Sequence, residues 1–71
     1  MPIRFTHHAK LQMGKRKISE EEVIITLENP DEVKQGSHSK ETIAIKYFGK
    51  KRIRTIYISE PLETKIIIVT H

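Results

Sequence analysis

Residues 5–30 read FTHHAKLQMGKRKISEEEVIITLENP, and this stretch contains the local signals that decide the fold. Thr6 has the side chain of a good helix N-cap, and apolar residues follow it at helical spacing, as at Ala9 and Met13. The pattern predicts a first helix from Thr6 to about Arg16. Such a helix buries one stripe against a sheet and leaves its other faces to solvent.

A second helix has a clear start and a clear stop. Ser19 followed three residues later by Glu22 is a capping box, in which each side chain bonds the other residue's backbone N–H. The stop is Asn29-Pro30, because a residue before proline is driven out of the helical region. We expect this helix to run to Glu28 and to bury three apolar side chains, namely Val23, Ile24 and Leu27.

The rest of the chain favours strands. The sequence has twelve isoleucines and three leucines, and β-branched side chains fit a pleated sheet. Alternation predicts that Ile43, Ile45 and Tyr47 share one face of a strand. The unbroken apolar run from Ile66 to Val69 predicts a strand buried on both faces. The predicted strands are 41–48, 52–58 and 66–69; a short first strand at 3–5 and a weakly pairing segment at 31–35 are optional additions.

These signals predict a single α+β domain, residues 1–71, with two N-terminal helices packed on a curved, mainly antiparallel sheet of three to four strands. The absence of cysteine excludes disulfides and thiolate metal sites. No apolar run approaches the roughly 20 residues of a membrane span, and the amino terminus has too few apolar residues for a signal peptide. We therefore expect a cytoplasmic protein with no membrane association.

The charges are arranged in blocks within a net charge of +4. Residues 1–18 carry five Lys/Arg and no acid, residues 19–33 carry six Asp/Glu and no base, and residues 34–54 carry seven Lys/Arg against one glutamate. If the acidic helix and the basic segments lie on different sides, the molecule is polarised and attracts phosphates. The alternative is the ordinary solvated surface of a small protein.

The basic segments contain residue types that suit phosphodiester chemistry, and no cofactor motif accompanies them. Histidine exchanges protons near neutral pH, an arginine fork holds a phosphate, and tyrosine donates a hydrogen bond or stacks on a base. Two adjacent histidines on a helix point about 100° apart and cannot chelate one ion, so we expect no metal. The available side chains are His8, Arg16, Tyr47, Arg52, Arg54, Tyr57 and His71.

Each of these residues also has an ordinary structural interpretation. His8 lies beside the buried stripe of the first helix, where a histidine commonly hydrogen-bonds at the edge of a core. Arg16 could pair with a glutamate of the second helix. The two tyrosines could be sheet residues whose hydroxyl groups reach water. The run from Lys50 to Arg52 could be no more than an exposed turn.

The first 30 residues resemble a small bacterial and archaeal family of uncharacterised domains. The family pattern reads Phe-Thr-x-His-Ala, x-x-Arg-Met-x-x-Arg-x-Ile-Ser, Glu-Glu-Val and Leu-x-Asn-Pro. The chain departs from this pattern at Gln12, where the pattern has arginine. It therefore lacks one positive charge of the cluster that contains His8 and Arg16. The matching residues are Phe5, Thr6, His8, Ala9, Met13, Arg16, Ile18, Ser19, Val23, Leu27, Asn29 and Pro30.

That family is similar to the RelE/ParE toxin superfamily, which includes BrnT-like toxins. The resemblance implies a RelE-like fold and a metal-independent endoribonuclease that directs the ribose 2′-hydroxyl at the adjacent phosphate. It implies RNA or the ribosome as target and an antitoxin protein as partner; the alternative is a non-catalytic RNA- or protein-binding module. The implied catalytic residues are His8, Arg16, Tyr57 and His71, and the implied RNA-binding residues are Lys46, Lys50, Lys51, Arg52 and Arg54.

Overall fold

The computed structural model describes residues 2–37 and 40–70 as two helices on one face of a five-stranded sheet. The sheet order is β1-β5-β4-β3-β2, in which β1 runs parallel to β5 and every other neighbouring pair is antiparallel. The elements are β1 (Ile3–Phe5), α1 (His7–Arg16), α2 (Glu20–Glu28), β2 (Glu32–Gln35), β3 (Glu41–Phe48), β4 (Lys51–Ser59) and β5 (Thr64–Thr70).

The α+β class is therefore confirmed, whereas the expected three to four strands are one or two too few. The short segments 3–5 and 31–35 both form strands, and they occupy the two edges of the sheet. β1 is also parallel to its neighbour, which makes the sheet mixed. Because a parallel neighbour leaves no local turn signal in the sequence, this pairing escaped prediction. Within the described residues, neither helix is long and apolar enough to cross a membrane.

Both helices begin where the capping signals place them. The Thr6 hydroxyl accepts a hydrogen bond from the Ala9 N–H at 3.2 Å. The Ser19 hydroxyl accepts from the Glu22 N–H at 3.1 Å, and the Glu22 carboxylate accepts from the Ser19 N–H at 3.0 Å. These bonds satisfy N–H groups that the first turn of a helix leaves without an intrahelical partner, so the predicted N-cap and capping box are confirmed.

The hydrophobic core lies between the helices and one face of the sheet, which we call the helix-covered face. Its buried members are Ala9, Met13, Ile18, Val23, Ile53, Ile66 and Val69. The prediction for α2 was partly wrong, because Ile24 and Leu27 are only half-buried while Thr26 is fully buried. The buried Thr26 hydroxyl is satisfied because it donates to the Glu22 carbonyl oxygen at 2.8 Å.

The opposite face of the sheet is not covered by any element in the described part of the chain, and we call it the helix-free face. Its central residues are isoleucines, of which Ile43 and Ile45 are buried by their own sheet neighbours. β5 was expected to be buried on both faces, but Ile67 and Ile68 are half-buried because nothing packs over this side. The predicted alternation of β3 is confirmed, because Ile43, Ile45 and Tyr47 lie on this face.

α1 also seals the edge of β5 beyond the end of β1. The Thr6 N–H donates to the Ile66 carbonyl oxygen at 3.1 Å, and the Val69 N–H donates to the Gln12 side-chain oxygen at 3.0 Å. β5 contains one extra residue opposite Ile56 and Tyr57 in β4, a bulge that shifts the register. α1 therefore runs alongside β5, and its carboxyl end lies near the start of β4.

Candidate functional site

Four cationic side chains line one cleft, which lies beside the β3–β4 turn at one end of the sheet. The cleft has a volume of about 450 Å³ and is lined by Arg16, Lys50, Lys51 and Arg52. Arg16 is the last residue of α1, whereas the other three lie more than thirty positions later in the chain. We call this site the basic cleft, and its positive charge is its main chemical property.

Local backbone geometry positions both sides of the basic cleft. α1 stops because Lys17 adopts a left-handed conformation, with φ of 55°, so the chain turns away immediately after Arg16. Cations in the last turn also complement the negative end of the helix dipole. On the other side, Gly49 has φ of 65° in the turn that joins β3 to β4. This turn presents Lys50 at the mouth of the cleft.

Among the residues that the structure describes, Lys51 is the one cation of the cleft with a carboxylate partner. Its Nζ lies 3.0 and 3.2 Å from the two carboxylate oxygens of Glu22 and 3.3 Å from the Lys17 carbonyl oxygen. The pKa of Glu22 is held below its ordinary value, first by the hydrogen bond from the Ser19 N–H and then by the hydrogen bond from Lys51. Lys51 is therefore partly neutralised and fixed in place.

The other three cations of the basic cleft are not neutralised by a carboxylate in the described part of the chain, although Arg52 interacts with the Tyr47 side chain. Across residues 2–37 and 40–70, Arg16, Lys50 and Arg52 form no ion pair with a carboxylate. Uncompensated like charges that share a cleft repel one another and concentrate a positive potential there. The alternative in which Arg16 pairs with a glutamate of α2 is therefore wrong, since Glu22 pairs with Lys51 instead.

Two further residues from the implied RNA-binding set lie outside the cleft. Arg54 is half-buried on the helix-free face, where it pairs in register with Ile45 and Thr70. Lys46 lies on the helix-covered side, and its Nζ donates to the Asn29 carbonyl oxygen at 2.9 Å. Arg54 thus extends the positive surface along β4, whereas Lys46 is engaged in holding the end of α2.

The implied catalytic residues are not gathered in one place. His8 is exposed in the first turn of α1, about 12 Å along the helix axis from Arg16 at 1.5 Å per residue. Tyr57 is half-buried on the helix-covered face, about 17 Å along β4 from Arg52. There it lines a separate cavity of about 330 Å³ together with Ile3, Leu27, Glu28 and Thr64. His71 lies outside the described residues.

Three residues have contacts that the sequence interpretation missed. Gln12 anchors α1 to β5, and Glu22 combines its cap with the bond to Lys51, a partner 29 positions away. Tyr47 is 49% exposed, and its hydroxyl donates to the Glu32 carboxylate at 2.7 Å. This hydrogen bond is the first cause of the raised pKa of Tyr47. For Tyr47 the alternation of β3 predicted only that it shares a face with Ile43 and Ile45, and the structure shows that this is the helix-free face.

The described part of the chain contains no cluster of three histidine, aspartate or glutamate side chains arranged to hold a metal ion. Comparison with curated proteins and with solved structures gave no match. Comparison with protein families gave a match over residues 5–71, nearly the whole sequence. None of these comparisons ties the chain to the RelE/ParE superfamily, so that link stays a prediction. The chain belongs to the family described as "Domain of unknown function (DUF4258)".

Proposed function

We propose that this protein binds RNA and that the basic cleft holds the phosphate backbone. The observation that carries the proposal is the convergence of Arg16, Lys50, Lys51 and Arg52 on one concave site. Proteins neutralise phosphates with clustered Lys and Arg and release counterions as they do so. Arginine adds a planar fork that bonds two phosphate oxygens at once.

The distribution of charge supports an extended anion over a small one. Arg54 continues the positive surface from Arg52 along β4, two residues further on the same face. Arg16 stands on the opposite side of the cleft. A chain of phosphates can contact all of these groups in sequence, whereas one phosphate cannot. The resemblance to a superfamily that acts on RNA makes RNA the first choice among such polyanions.

RNA cleavage is a second candidate, because an exposed histidine stands on the same helix as a cleft arginine. His8 would take the proton of a ribose 2′-hydroxyl, and that oxygen would attack the adjacent phosphorus atom. The bond to the 5′-oxygen then breaks, and the leaving oxygen takes up a proton. Arg16 would stabilise the charge that builds on the phosphoryl oxygens. For both residues to act on one phosphate, the Arg16 side chain has to reach back toward the first turn of α1, about 12 Å away along the helix axis. The products are a 2′,3′-cyclic phosphate and a free 5′-hydroxyl.

One assay with purified protein tests both candidates. A labelled single-stranded RNA is incubated with wild type, His8→Ala and Arg16→Ala, and bound and cleaved fractions are measured together. Binding that weakens severalfold in Arg16→Ala and persists in His8→Ala supports the cleft as the RNA site. Cyclic-phosphate ends that disappear in His8→Ala support cleavage. Intact RNA that stays bound would reject the nuclease and retain the binding protein.

The toxin interpretation has a separate test in cells. Cytoplasmic expression of wild type should arrest growth, and His8→Ala should not, if RNA cleavage is the activity. Co-expression of an antitoxin encoded next to this protein should then restore growth. Equal growth inhibition by wild type and His8→Ala would contradict the nuclease mechanism. Absence of RNA binding in the first assay would overturn the proposed function itself.

A further inference from the structure

Tyr47 differs from the other three aromatic residues because its ring is open to solvent. Its side chain is 49% exposed. Phe5, Phe48 and Tyr57 are partly buried and pack against the hydrophobic core. A ring on a sheet face covered by no helix contributes less to folding than a core ring, since about half of the Tyr47 surface remains in water. The ring is therefore a surface available to a ligand.

The ring is also fixed in orientation before any ligand arrives. The Tyr47 hydroxyl donates to the Glu32 carboxylate at 2.7 Å, and its backbone N–H donates to the Asp31 carboxylate at 2.8 Å. Asp31 immediately precedes β2 and Glu32 is its first residue, at the edge of the sheet. A side chain that is already held loses little rotamer freedom when a ligand packs on it.

The position of the ring relates it directly to the basic cleft. Tyr47 and Arg52 are register partners across β3 and β4, so their side chains share one face of the sheet. Directly opposed residues have Cβ atoms about 4.5–5.5 Å apart. Arg52 lines the basic cleft. A flat aromatic surface and a phosphate-binding group thus lie side by side at one edge of the site.

We propose that Tyr47 is a stacking platform for an unpaired base, and that the ligand of the basic cleft is therefore single-stranded RNA. This inference rests on the proposed RNA binding and specifies the kind of RNA that is bound. A single strand offers a phosphate and an exposed base face within one nucleotide, and stacking on an aromatic ring accepts any base. A duplex hides its base faces inside the helix and presents only phosphates, sugars and groove edges.

The test compares three probes on wild type and two variants at this position. The probes are a short single-stranded RNA, the same RNA annealed to its complement, and inorganic tripolyphosphate. Tyr47→Leu removes the aromatic ring and keeps apolar bulk, whereas Tyr47→Phe keeps the ring and removes the hydroxyl. Thermal unfolding of each variant checks that the fold is retained.

Tyr47→Leu should weaken single-strand binding by about tenfold, within the range measured for one base–aromatic stack. Tyr47→Phe should bind the single strand within a few-fold of wild type. Both variants lose the interaction of the Tyr47 hydroxyl with Arg52 but no cation, so each should keep its tripolyphosphate affinity within a few-fold of wild type. Wild type should prefer the single strand to the duplex. These four results together support the stacking platform.

Several outcomes would overturn the inference and leave the proposed function standing. One is a single strand that binds Tyr47→Leu as tightly as wild type, while Lys50→Gln and Arg52→Gln both weaken binding. Another is an equal loss of tripolyphosphate affinity in Tyr47→Leu, which would mean that the substitution disturbs the cleft itself. If wild type binds no RNA at all, both the proposed function and this inference are wrong.

Discussion

Gln12 shows how a single side chain holds α1 against the sheet. β1 ends at Phe5, so the later part of β5 has no strand beside it on this edge. The Gln12 side-chain oxygen accepts the Val69 N–H at 3.0 Å and fills that gap. Arginine, which the family pattern has at this position, has no acceptor and cannot form this bond. The departure from the pattern therefore comes with a structural contact of its own.

Substitution of Gln12 tests this contact at the level of stability. Gln12→Leu leaves the Val69 N–H without its acceptor and should lower the free energy of unfolding by about 1–2 kcal/mol. Gln12→Glu keeps an acceptor oxygen and should retain most of the stability at neutral pH. Urea denaturation of both variants measures the difference, with Lys10→Ala on the exposed face as control. Equal stability of Gln12→Leu and wild type would show that the bond contributes nothing.

Glu22 gives a stability effect that depends on pH. Because its pKa is lowered in the folded protein, its charge stabilises the fold above the ordinary glutamate pKa of about 4.3. This contribution is lost as the pH falls through the lower folded value. Glu22→Gln keeps the cap geometry and removes the charge, so it should cost about 0.5–1 kcal/mol at neutral pH.

The measurement is the free energy of unfolding of wild type and Glu22→Gln between neutral and acid pH. The difference between them should be constant near neutrality and should close below pH of about 4. Glu21→Gln is the matched control, since Glu21 is exposed in the same helical turn and forms no ion pair in the described part of the chain. A difference that persists unchanged into acid would contradict the assigned cause.

At the scale of elements, two glycines lie in different backbone conformations: Gly49 in a turn with positive φ and Gly14 within a helix. Gly49 has φ of 65° in the β3–β4 turn, a conformation that side chains with a Cβ adopt at a cost. Gly14 lies within α1, where glycine is a poor helix former. A Cβ added at either position meets no atom within 4 Å. A steric clash therefore does not contribute to the stability change expected from alanine at either position.

Gly49→Ala and Gly14→Ala should shift stability in opposite directions. The first should destabilise the fold by about 1 kcal/mol, because alanine is strained at positive φ. The second should stabilise it by about 0.5–1 kcal/mol through better helix propensity. Thermal unfolding of the two variants checks both signs. A shift of the same sign in both would show that turn and helix geometry are not the controlling factors.

The elements that could be predicted from the sequence are those specified by local signals. Thr6, the Ser19–Glu22 box and Asn29-Pro30 act within a few residues, so both helices and their ends follow from the sequence. Strand alternation grouped Ile43, Ile45 and Tyr47 on one face of β3 for the same reason. The parallel pairing of β1 with β5 joins residues some sixty positions apart, and no local pattern specifies such a contact.

In the candidate site too, groupings of neighbouring residues could be predicted from the sequence, whereas groupings that depend on tertiary packing could not. Lys50, Lys51 and Arg52 are consecutive, so their grouping was evident, but the arrival of Arg16 beside them depends on how α1 packs along β5. The positions of Lys46 and Tyr57 also depend on tertiary contacts. Their residue types suggested RNA chemistry, whereas their contacts show Lys46 at the end of α2 and Tyr57 at the opposite end of β4.

At the scale of the whole molecule, charge separation is less complete than the sequence blocks suggest. The acidic start of α2 reaches the basic cleft, because Glu22 bonds Lys51 there. Three cations of the cleft still have no carboxylate partner within the described residues. Part of the net charge of +4 is therefore concentrated in the basic cleft. Its ligand affinity should depend on salt and on these particular residues.

The most direct test of RNA binding at the basic cleft is the salt dependence of RNA affinity in two charge-matched double variants. Lys50→Gln/Arg52→Gln removes two cations that line the basic cleft, and Lys34→Gln/Lys40→Gln removes two exposed cations that do not. Binding of a short single-stranded RNA is measured across a series of salt concentrations. The slope of log affinity against log salt reports how many phosphates the protein neutralises.

If the basic cleft is the RNA site, Lys50→Gln/Arg52→Gln should weaken binding strongly. It should also reduce the magnitude of the slope by roughly 1–1.5, at about 0.7 for each lost phosphate contact. Lys34→Gln/Lys40→Gln should stay close to wild type in both affinity and slope. If the two double variants lose affinity equally, the attraction comes from net charge alone, and the claim that the basic cleft is the RNA site is contradicted.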